Sequence, residues 1–391
     1  MAKILWITGE YFHPVDNGMY RYSSDVASGL VDHGHDIHFL GRDRHPNNPI
    51  TDPAWTLLPH RSPPMGLKML SHRPAKVAEI WDRTMARKVR ELAPGYDLAV
   101  IDHLRSGAAL SCLPDTLPVV HLSHNDETAV RARMIATARG LRRIALGIDL
   151  AKMGRFEDKL LNDCHLTSAI SGPDADQFRA RGAPWVVESL PMHRGDRLKT
   201  RTIDANTPRR VSVISTLFWG AKIDNMELAL EGLAPLLQQN IDIEVFTGGY
   251  LPPSELMRRF PAVTFHEFVP DLNDALAKSR VGVVYEPVGG GFKMKTLDFV
   301  FRRVPLVTGT GSVAGLPLSP GSSVLEVESH LDLASTVGAV VDDFPKLNSL
   351  QNAAFEACEH LFTVESLRPL SDAIDGLVGR ATSSKPNPVR P

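Results

Sequence analysis

The segment Val281–Thr308, reading VGVVYEPVGGGFKMKTLDFVFRRVPLVT, restricts the fold more than any other stretch of the chain. An apolar run, three glycines at Gly289–Gly291, a helix-like stretch and a second apolar run at Pro305–Thr308 spell strand, loop, helix and strand in succession. Strands joined through a helix run parallel, in a sheet whose faces the helices cover. Glycines ahead of a helix let backbone N–H groups approach an anion, and the helix dipole favours negative charge there. Lys293 and Lys295 add positive charge in the first helical turn, against the dipole, so helix stability alone gives little reason for them. Asp298 follows one turn later, near the face of Lys295 and Met294. Taken alone, the segment reads equally well as a glycine-rich loop followed by an amphipathic helix with solvated lysines.

The same alternation recurs along the chain. Lys3–Thr8 is a compact apolar strand; a loop carrying Gly18, a helical stretch at Met19–Asp32 and a strand at Asp36–Leu40 follow. Such a unit opens a doubly wound α/β domain, in which ligands sit beyond the carboxyl ends of the strands. Residues 42–73 are rich in proline, histidine and arginine and read as irregular. Ala75–Leu92 is helical, and further strands are expected at Leu98–Asp102, Val119–Leu122, Leu166–Ser171 and Trp185–Leu190, about six in the first half. A second series starts at Val211–Ser215 and continues at Ile243–Thr247, Val263–Phe265, Val281–Tyr285, Pro305–Thr308 and Ser323–Val327, with helices between. The expectation is two doubly wound, Rossmann-like α/β domains. The expected boundaries are 1–195 for the first domain, 196–210 for a linker within the polar, aperiodic stretch His193–Arg210, and 211–362 for the second. A C-terminal helix at 363–378 and a disordered tail at 379–391 complete the chain.

A length of 391 residues supports two cores. The net charge of −2 makes no global case for nucleic acid, so an anionic partner must be met by a local patch. One local surplus lies in the helical stretch Val130–Arg155, where seven basic residues, from Arg131 through Arg143 to Arg155, face a lone Asp149. It reads as a solvated face or as attachment to an anionic membrane surface or acceptor, and its apolar side, Met134, Ile135, Leu141, Ile144, Ala145 and Ile148, reads equally as core. Cys112, Cys164 and Cys358 have neither paired nor metal-type spacing, which suits a reducing cytoplasm, and no stretch reads as a signal peptide or membrane span. No Asp-x-Asp, His-x-x-x-His or cysteine cluster suggests a metal, and no cofactor is expected.

With both halves in view, the chain resembles the retaining glycosyltransferases of the two-Rossmann-domain (GT-B) type, specifically family 4, over about residues 1–378. Four places carry the likeness. The opening ILWITGEYFHPVDNGMYRYSSDVASGLVDHGHDIHFLG is similar to the family's first strand, glycine loop and helix; Gly18 matches the loop glycine that approaches the donor phosphate, while Asn17 replaces a second glycine. In VVHLSHNDE, His124 matches a histidine that contacts the donor sugar, with Asn125 and Glu127 as secondary candidates. In VSVISTLFWGAKIDN, Lys222 matches the lysine of a diphosphate clamp whose arginine position holds Thr216. In GGGFKMKTLD, Asp298 stands where a glutamate contacts the ribose, and Gly290 stands where another glutamate contacts the sugar; a subgroup reading G-x-G-x-K-x-K-x-L-E fits better.

The resemblance implies a cleft between the domains, a nucleotide-diphosphate-sugar as co-substrate, and metal-independent transfer to a glycan, glycolipid or small-molecule hydroxyl. It gives catalytic parts to His124, Lys222 and Lys293, and donor-binding parts to Gly18, Thr216, Gly290, Gly291, Phe292, Lys295 and Asp298. By analogy it suggests polysaccharide biosynthesis, while the cysteine usage and the lack of a span point to a cytoplasmic protein, and the basic stretch to peripheral contact with the inner membrane surface through Arg131–Arg143. Two other readings compete. The departures at Asn17, Thr216 and Gly290 suit an impaired GT-B-fold nucleotide-binding or scaffolding protein. A dinucleotide dehydrogenase is poorly supported, because the first loop lacks G-x-G-x-x-G and only Asp43 offers a ribose-binding acid.

Overall fold

A computed structural model describes residues 1–15, 17–44, 52–217, 220–287 and 291–383. Gly290, Gly289 and the tail beyond 383 lie outside the described residues. The chain divides into two compact units: Met1–Val15, Met19–Met192 and the segment from Val364 form one, and Asn17, Gly18 and His193–Thr363 the other.

In the first unit the described elements, in order, are β1 (Lys3–Ile7), α1 (Gly18–Asp32), β2 (Asp36–Arg42), β3 (Trp55–Leu58), α2 (Met65–Leu70), α3 (Ala75–Ile80), α4 (Arg83–Leu92), β4 (Leu98–Asp102), β5 (Val119–Leu122), α5 (Glu127–Thr137), α6 (Gly140–Asp163), β6 (Leu166–Ala169), α7 (Gly172–Ala180) and β7 (Val186–Glu188). The strands form one parallel sheet in the order β3-β2-β1-β4-β5-β6-β7. β4 and β5 are buried at every residue, as expected where helices cover both faces. One side of the sheet, including Leu5, Ile7, Ala99 and Ile101, packs on Val77, Met85, Val89, Met153 and Leu160.

The second unit holds β8 (Arg210–Ile214), α8 (Gly220–Leu233), β9 (Asp242–Phe246), α9 (Ser254–Arg259), β10 (Thr264–His266), α10 (Leu272–Ala277), β11 (Val281–Val284), α11 (Met294–Phe301), β12 (Leu306–Gly309), β13 (Leu325–Val327), α12 (Leu333–Val340) and α13 (Phe344–Cys358). Its parallel sheet runs β10-β9-β8-β11-β12-β13. Gly282 in β11 admits α11 closely: a Cβ there would come within 2.6 Å of the Phe299 ring. The two parallel sheets with flanking helices are the doubly wound α/β architecture expected.

Several local expectations need correction. The irregular stretch 42–73 contains β3 and α2. Ala75–Leu92 is two helices, because the Asp82 side chain accepts a hydrogen bond from Met85 N–H and starts α4 anew. Val130–Arg155 is likewise divided, with Gly140, the first residue of α6, at φ 57. Residues 196–209 carry no helix or strand but are fastened to the second unit. Arg197 donates to the carbonyls of Glu359, Leu361 and Phe362, and Arg201 to those of Arg303, Ala277 and Ser279. The last helix, α14 (Arg368–Ser383), runs past Leu377 and packs in the first unit, where Ser371 Oγ lies 2.9 Å from His35 Nε2.

Among the described residues no helix is long and apolar enough to cross a membrane. The three cysteines are buried and unpaired.

Candidate functional site

In the second unit, polar chemistry gathers just past the carboxyl ends of β8 and β11, where loops leave the sheet and side chains converge. Glu286, two residues beyond β11, is the centre. Lys222, from the first turn of α8, places its ammonium 2.8 Å from both Glu286 oxygens. Lys295, in the first turn of α11, donates to Glu286 Oε1 at 2.6 Å and to the Ile214 carbonyl at 2.7 Å. Lys293 Nζ lies 3.5 Å from Glu286 Oε2.

Burial pushes the Glu286 carboxyl upward, but Lys295, Lys222 and Lys293 outweigh it and hold the group well below the usual carboxylate range. Burial brings Lys295 down to about 8, against the pull of Glu286 and with Lys222 adding to the drop. Among the described residues, three lysines surround this one carboxylate, Lys222 and Lys295 within hydrogen-bond distance of it.

Gly291, at φ 75, occupies the left-handed region that favours glycine as the chain turns into α11. Phe292 packs on Phe362, with ring centroids 5.7 Å apart. Thr216 is half-buried in the loop after β8. Asp298 is directed elsewhere: its carboxylate meets His193 Nε2 at 3.2 Å and Arg302 Nη1 at 3.3 Å. The structure therefore brings Lys222, Lys293 and Lys295 together and leaves Asp298 in a separate ion cluster.

The first unit has its own polar cluster at the equivalent end of its sheet. Asp102 closes β4, His103 follows it with φ 64, and His124 lies two residues beyond β5. His124 Nε2 lies 2.7 Å from Asp102 Oδ1, whose other oxygen accepts the Trp6 indole N–H at 3.0 Å. His103 Nε2 donates to Glu127 Oε1 at 3.0 Å, and Lys76 donates to Glu127 Oε2 at 2.8 Å. Asn125 Nδ2 reaches the same carboxylate at 3.2 Å.

Burial drives the His103 imidazole down to about 4 despite Glu127 beside it. Glu127, which burial alone would raise, is held well below its usual range by Lys76 and His103. Glu10, Tyr20, Ser23, Asp102, His103 and His124 line a small cleft here. Gly18 opens α1 and is exposed.

Reading the sequence alone missed Glu286, Asp102 and His103 as site candidates. All three sit at the carboxyl end of a strand, the same signal that makes His124 a candidate. Glu286 escaped notice because it precedes the glycines, and Asp102 because it completes an otherwise apolar strand.

The basic stretch is also resolved into parts. Arg131 pairs with the buried Asp149 at 3.0 Å, whereas Arg133, Arg139, Arg142 and Arg143 are exposed. Leu141, Ile144 and Ile148 are 84%, 61% and 52% exposed, so they are not core. On α2, Met65, Leu67 and Leu70 are likewise exposed, and Lys152 of α6 donates to the carbonyls of Met69 and Ser71, tying the two helices together.

No family model matches the chain, and no curated protein sequence does. Solved structures do share its fold. A sucrose-phosphate synthase from Thermosynechococcus elongatus is 15% identical, covers 98% of this chain and 100% of its own, and has a TM-score of 0.65. WaaG, a glycosyltransferase involved in lipopolysaccharide biosynthesis, is 14% identical over 95% of this chain and 100% of its own, with a TM-score of 0.63. Anabaena HepE in complex with UDP-glucose is 14% identical over 98% of this chain and 100% of its own, with a TM-score of 0.59. The fold of this chain is thus the two-domain α/β architecture of the GT-B glycosyltransferases.

Proposed function

We propose that the protein is a retaining glycosyltransferase of the family 4 type, moving a sugar from a nucleotide-diphosphate-sugar to a hydroxyl of a glycan, glycolipid or small-molecule acceptor. The observation that carries this reading is the meeting of Lys222, Lys293 and Lys295 on Glu286 at the strand ends of the second unit. Several lysines meeting in a largely buried place suit a diphosphate whose charge grows as the glycosidic bond breaks. As the bond from the anomeric carbon to the diphosphate oxygen breaks, its electron pair goes to that oxygen. The acceptor oxygen bonds the anomeric carbon, and its proton passes to the leaving phosphate. Gly18, Thr216, Gly290, Gly291 and Phe292 are proposed as further donor contacts and His124 as the sugar contact, while Asp298 serves as the ribose contact only if its carboxylate leaves the ion cluster with His193 and Arg302.

The lysines carry positive charge that a divalent cation supplies in other phosphate sites, so we propose metal-independent transfer. EDTA-sensitive turnover restored by Mn²⁺ or Mg²⁺ would contradict that part. The buried, unpaired cysteines suit a cytoplasmic protein, and the arginines of α6 beside exposed Leu141, Ile144 and Ile148 suit peripheral contact with an anionic membrane face, where a polysaccharide or glycolipid acceptor is built.

The deciding experiment is a thermal-shift panel of UDP-, GDP-, ADP- and dTDP-sugars, with UDP-glucose first, followed by donor turnover. Binding and turnover by wild type, lost in His124→Ala/Lys293→Ala, exclude the scaffolding alternative. Binding without turnover would favour it, and preference for NADH over every nucleotide sugar would revive the dehydrogenase.

A further inference from the structure

We propose that Asp102, held by Trp6, is a positioning residue that fixes the tautomer of His124, a residue lining the strand-end cleft, so that His124 keeps a bare Nδ1 as an acceptor for a ligand hydroxyl group. The argument is a sequence of donors and acceptors. The Trp6 indole N–H can only donate, and it donates to Asp102 Oδ2 at 3.0 Å. The other oxygen, Oδ1, is 2.7 Å from His124 Nε2. Asp102 is fully buried, and although burial pushes its carboxyl upward, His124, Trp6 and Ser23 together hold it below the usual range.

An ionised carboxylate only accepts, so a neutral imidazole must turn an Nε2–H toward it. The hydrogen bond made by one ring nitrogen sets the state of the other. Nδ1 is then a lone-pair acceptor, and it is buried without a partner among the described residues.

The surroundings suit a single acceptor. His103, with ring centroid 5.0 Å from that of His124, already has both nitrogens engaged: Nδ1 accepts from Arg105 N–H and Nε2 donates to Glu127. Tyr22 stands edge-on to the His124 ring, with centroids 5.0 Å apart and its hydroxyl donated to the Ser189 carbonyl. An unmatched buried acceptor carries a desolvation cost that a ligand O–H removes. The matching chemistry is a hydroxyl that donates, as sugar hydroxyls do. That choice of ligand rests on the glycosyltransferase reading, whereas the tautomer does not.

Asp102→Asn tests the relay with almost no change of shape. Its single carbonyl oxygen must serve Trp6, because an amide NH₂ set against the indole N–H would oppose donor to donor. The amide NH₂ then faces His124 Nε2, which must accept, and the proton moves to Nδ1. Imidazole ¹⁵N spectra of the full chain should show His124 protonated at Nε2 in wild type and at Nδ1 in Asp102→Asn. His103 should stay protonated at Nε2 in both, reporting that the cluster is intact.

Turnover of the donor found in the panel should fall at least ten-fold in the variant, while affinity for the nucleoside diphosphate alone stays within two-fold. Wild-type His124 protonated at Nδ1, whether alone or together with Nε2, or one tautomer shared by both proteins, overturns the proposal. Should no nucleotide sugar bind wild type, the transferase reading fails and the ¹⁵N result still decides the relay.

Discussion

Lys222 and Glu286, 64 residues apart in the chain, meet with the lysine ammonium 2.8 Å from each carboxylate oxygen. The pair is also the meeting point for Lys293 and Lys295, so Glu286 is the counter-charge for three cations. Replacing it leaves like charges together in a largely buried place. Glu286→Gln is expected to lose about 3 kcal/mol of stability, the usual scale for removing one partner of a buried pair. Adding the nucleoside diphosphate should raise its melting temperature more than that of wild type, since the ligand restores the missing charge. Equal melting temperatures without ligand would show that the lysines do not depend on Glu286.

Lys222→Ala removes one charged donor and leaves Glu286 with two lysines. Affinity for the nucleoside diphosphate is expected to fall roughly ten-fold, about 1.4 kcal/mol, the scale of one charge-assisted hydrogen bond. Isothermal titration against wild type reads this directly, and unchanged affinity removes Lys222 from the donor site.

Diphosphate binding should also take up a proton. With Lys295 brought down to about 8, its ammonium is only partly protonated near that pH, and an arriving anion favours the charged form. Affinity should therefore fall as pH rises from 7 to 9. At pH 8 the apparent binding enthalpy should vary with the buffer's ionisation enthalpy in the direction of proton uptake. For stability the sign is that of a depressed lysine: the native chain sheds this proton before the unfolded chain, so the charged form costs stability below about 8 and the cost is relieved above it. Identical enthalpies in buffers of different ionisation enthalpy would count against a titrating Lys295.

His121, within the buried strand β5, has neither ring nitrogen bonded among the described residues. Burial brings it down to about 3, with the neighbouring His103 and His124 adding to the drop. The unfolded chain binds this proton first, so stability is lost as pH falls from about 6.5 toward 3. His121→Leu should gain about 1 kcal/mol at neutral pH by removing an unsatisfied buried polar group, and should flatten the loss in acid. Thermal melts of both proteins between pH 7 and 4 decide it, and parallel curves would contradict the assignment.

If α6 meets an anionic surface, charge and apolar contact should both count. Wild type is expected to co-sediment with vesicles containing phosphatidylglycerol and far less with pure phosphatidylcholine. Arg142→Glu/Arg143→Glu and Leu141→Ser/Ile144→Ser should each weaken binding several-fold. Equal binding to both vesicle types would remove the membrane role.

The strands and most helices were legible because their signals are local. An apolar run between turn residues names a strand wherever it lies. The errors were local too: the break at Asp82 depends on one side chain reaching Met85 N–H, and the division of the basic stretch depends on Gly140 entering the left-handed region. For the site, a resemblance selected Lys222, Lys293 and Lys295 as donor contacts, and the packing brings them to one carboxylate.

By itself the sequence determined two series of strands and helices, glycines where a chain must turn into a helix, and the side chains that end the strands. Those follow from residue size, backbone freedom and apolar period, all properties of neighbours in the chain. Only the tertiary structure decided that Glu286 gathers three lysines, that Asp298 pairs with His193 and Arg302, that Asp102 holds His124, and that Leu141, Ile144 and Ile148 stay at the surface. Electrostatic and hydrogen-bond partners are set by distances of a few ångströms between residues far apart in sequence, and only the packing of a sheet fixes those distances.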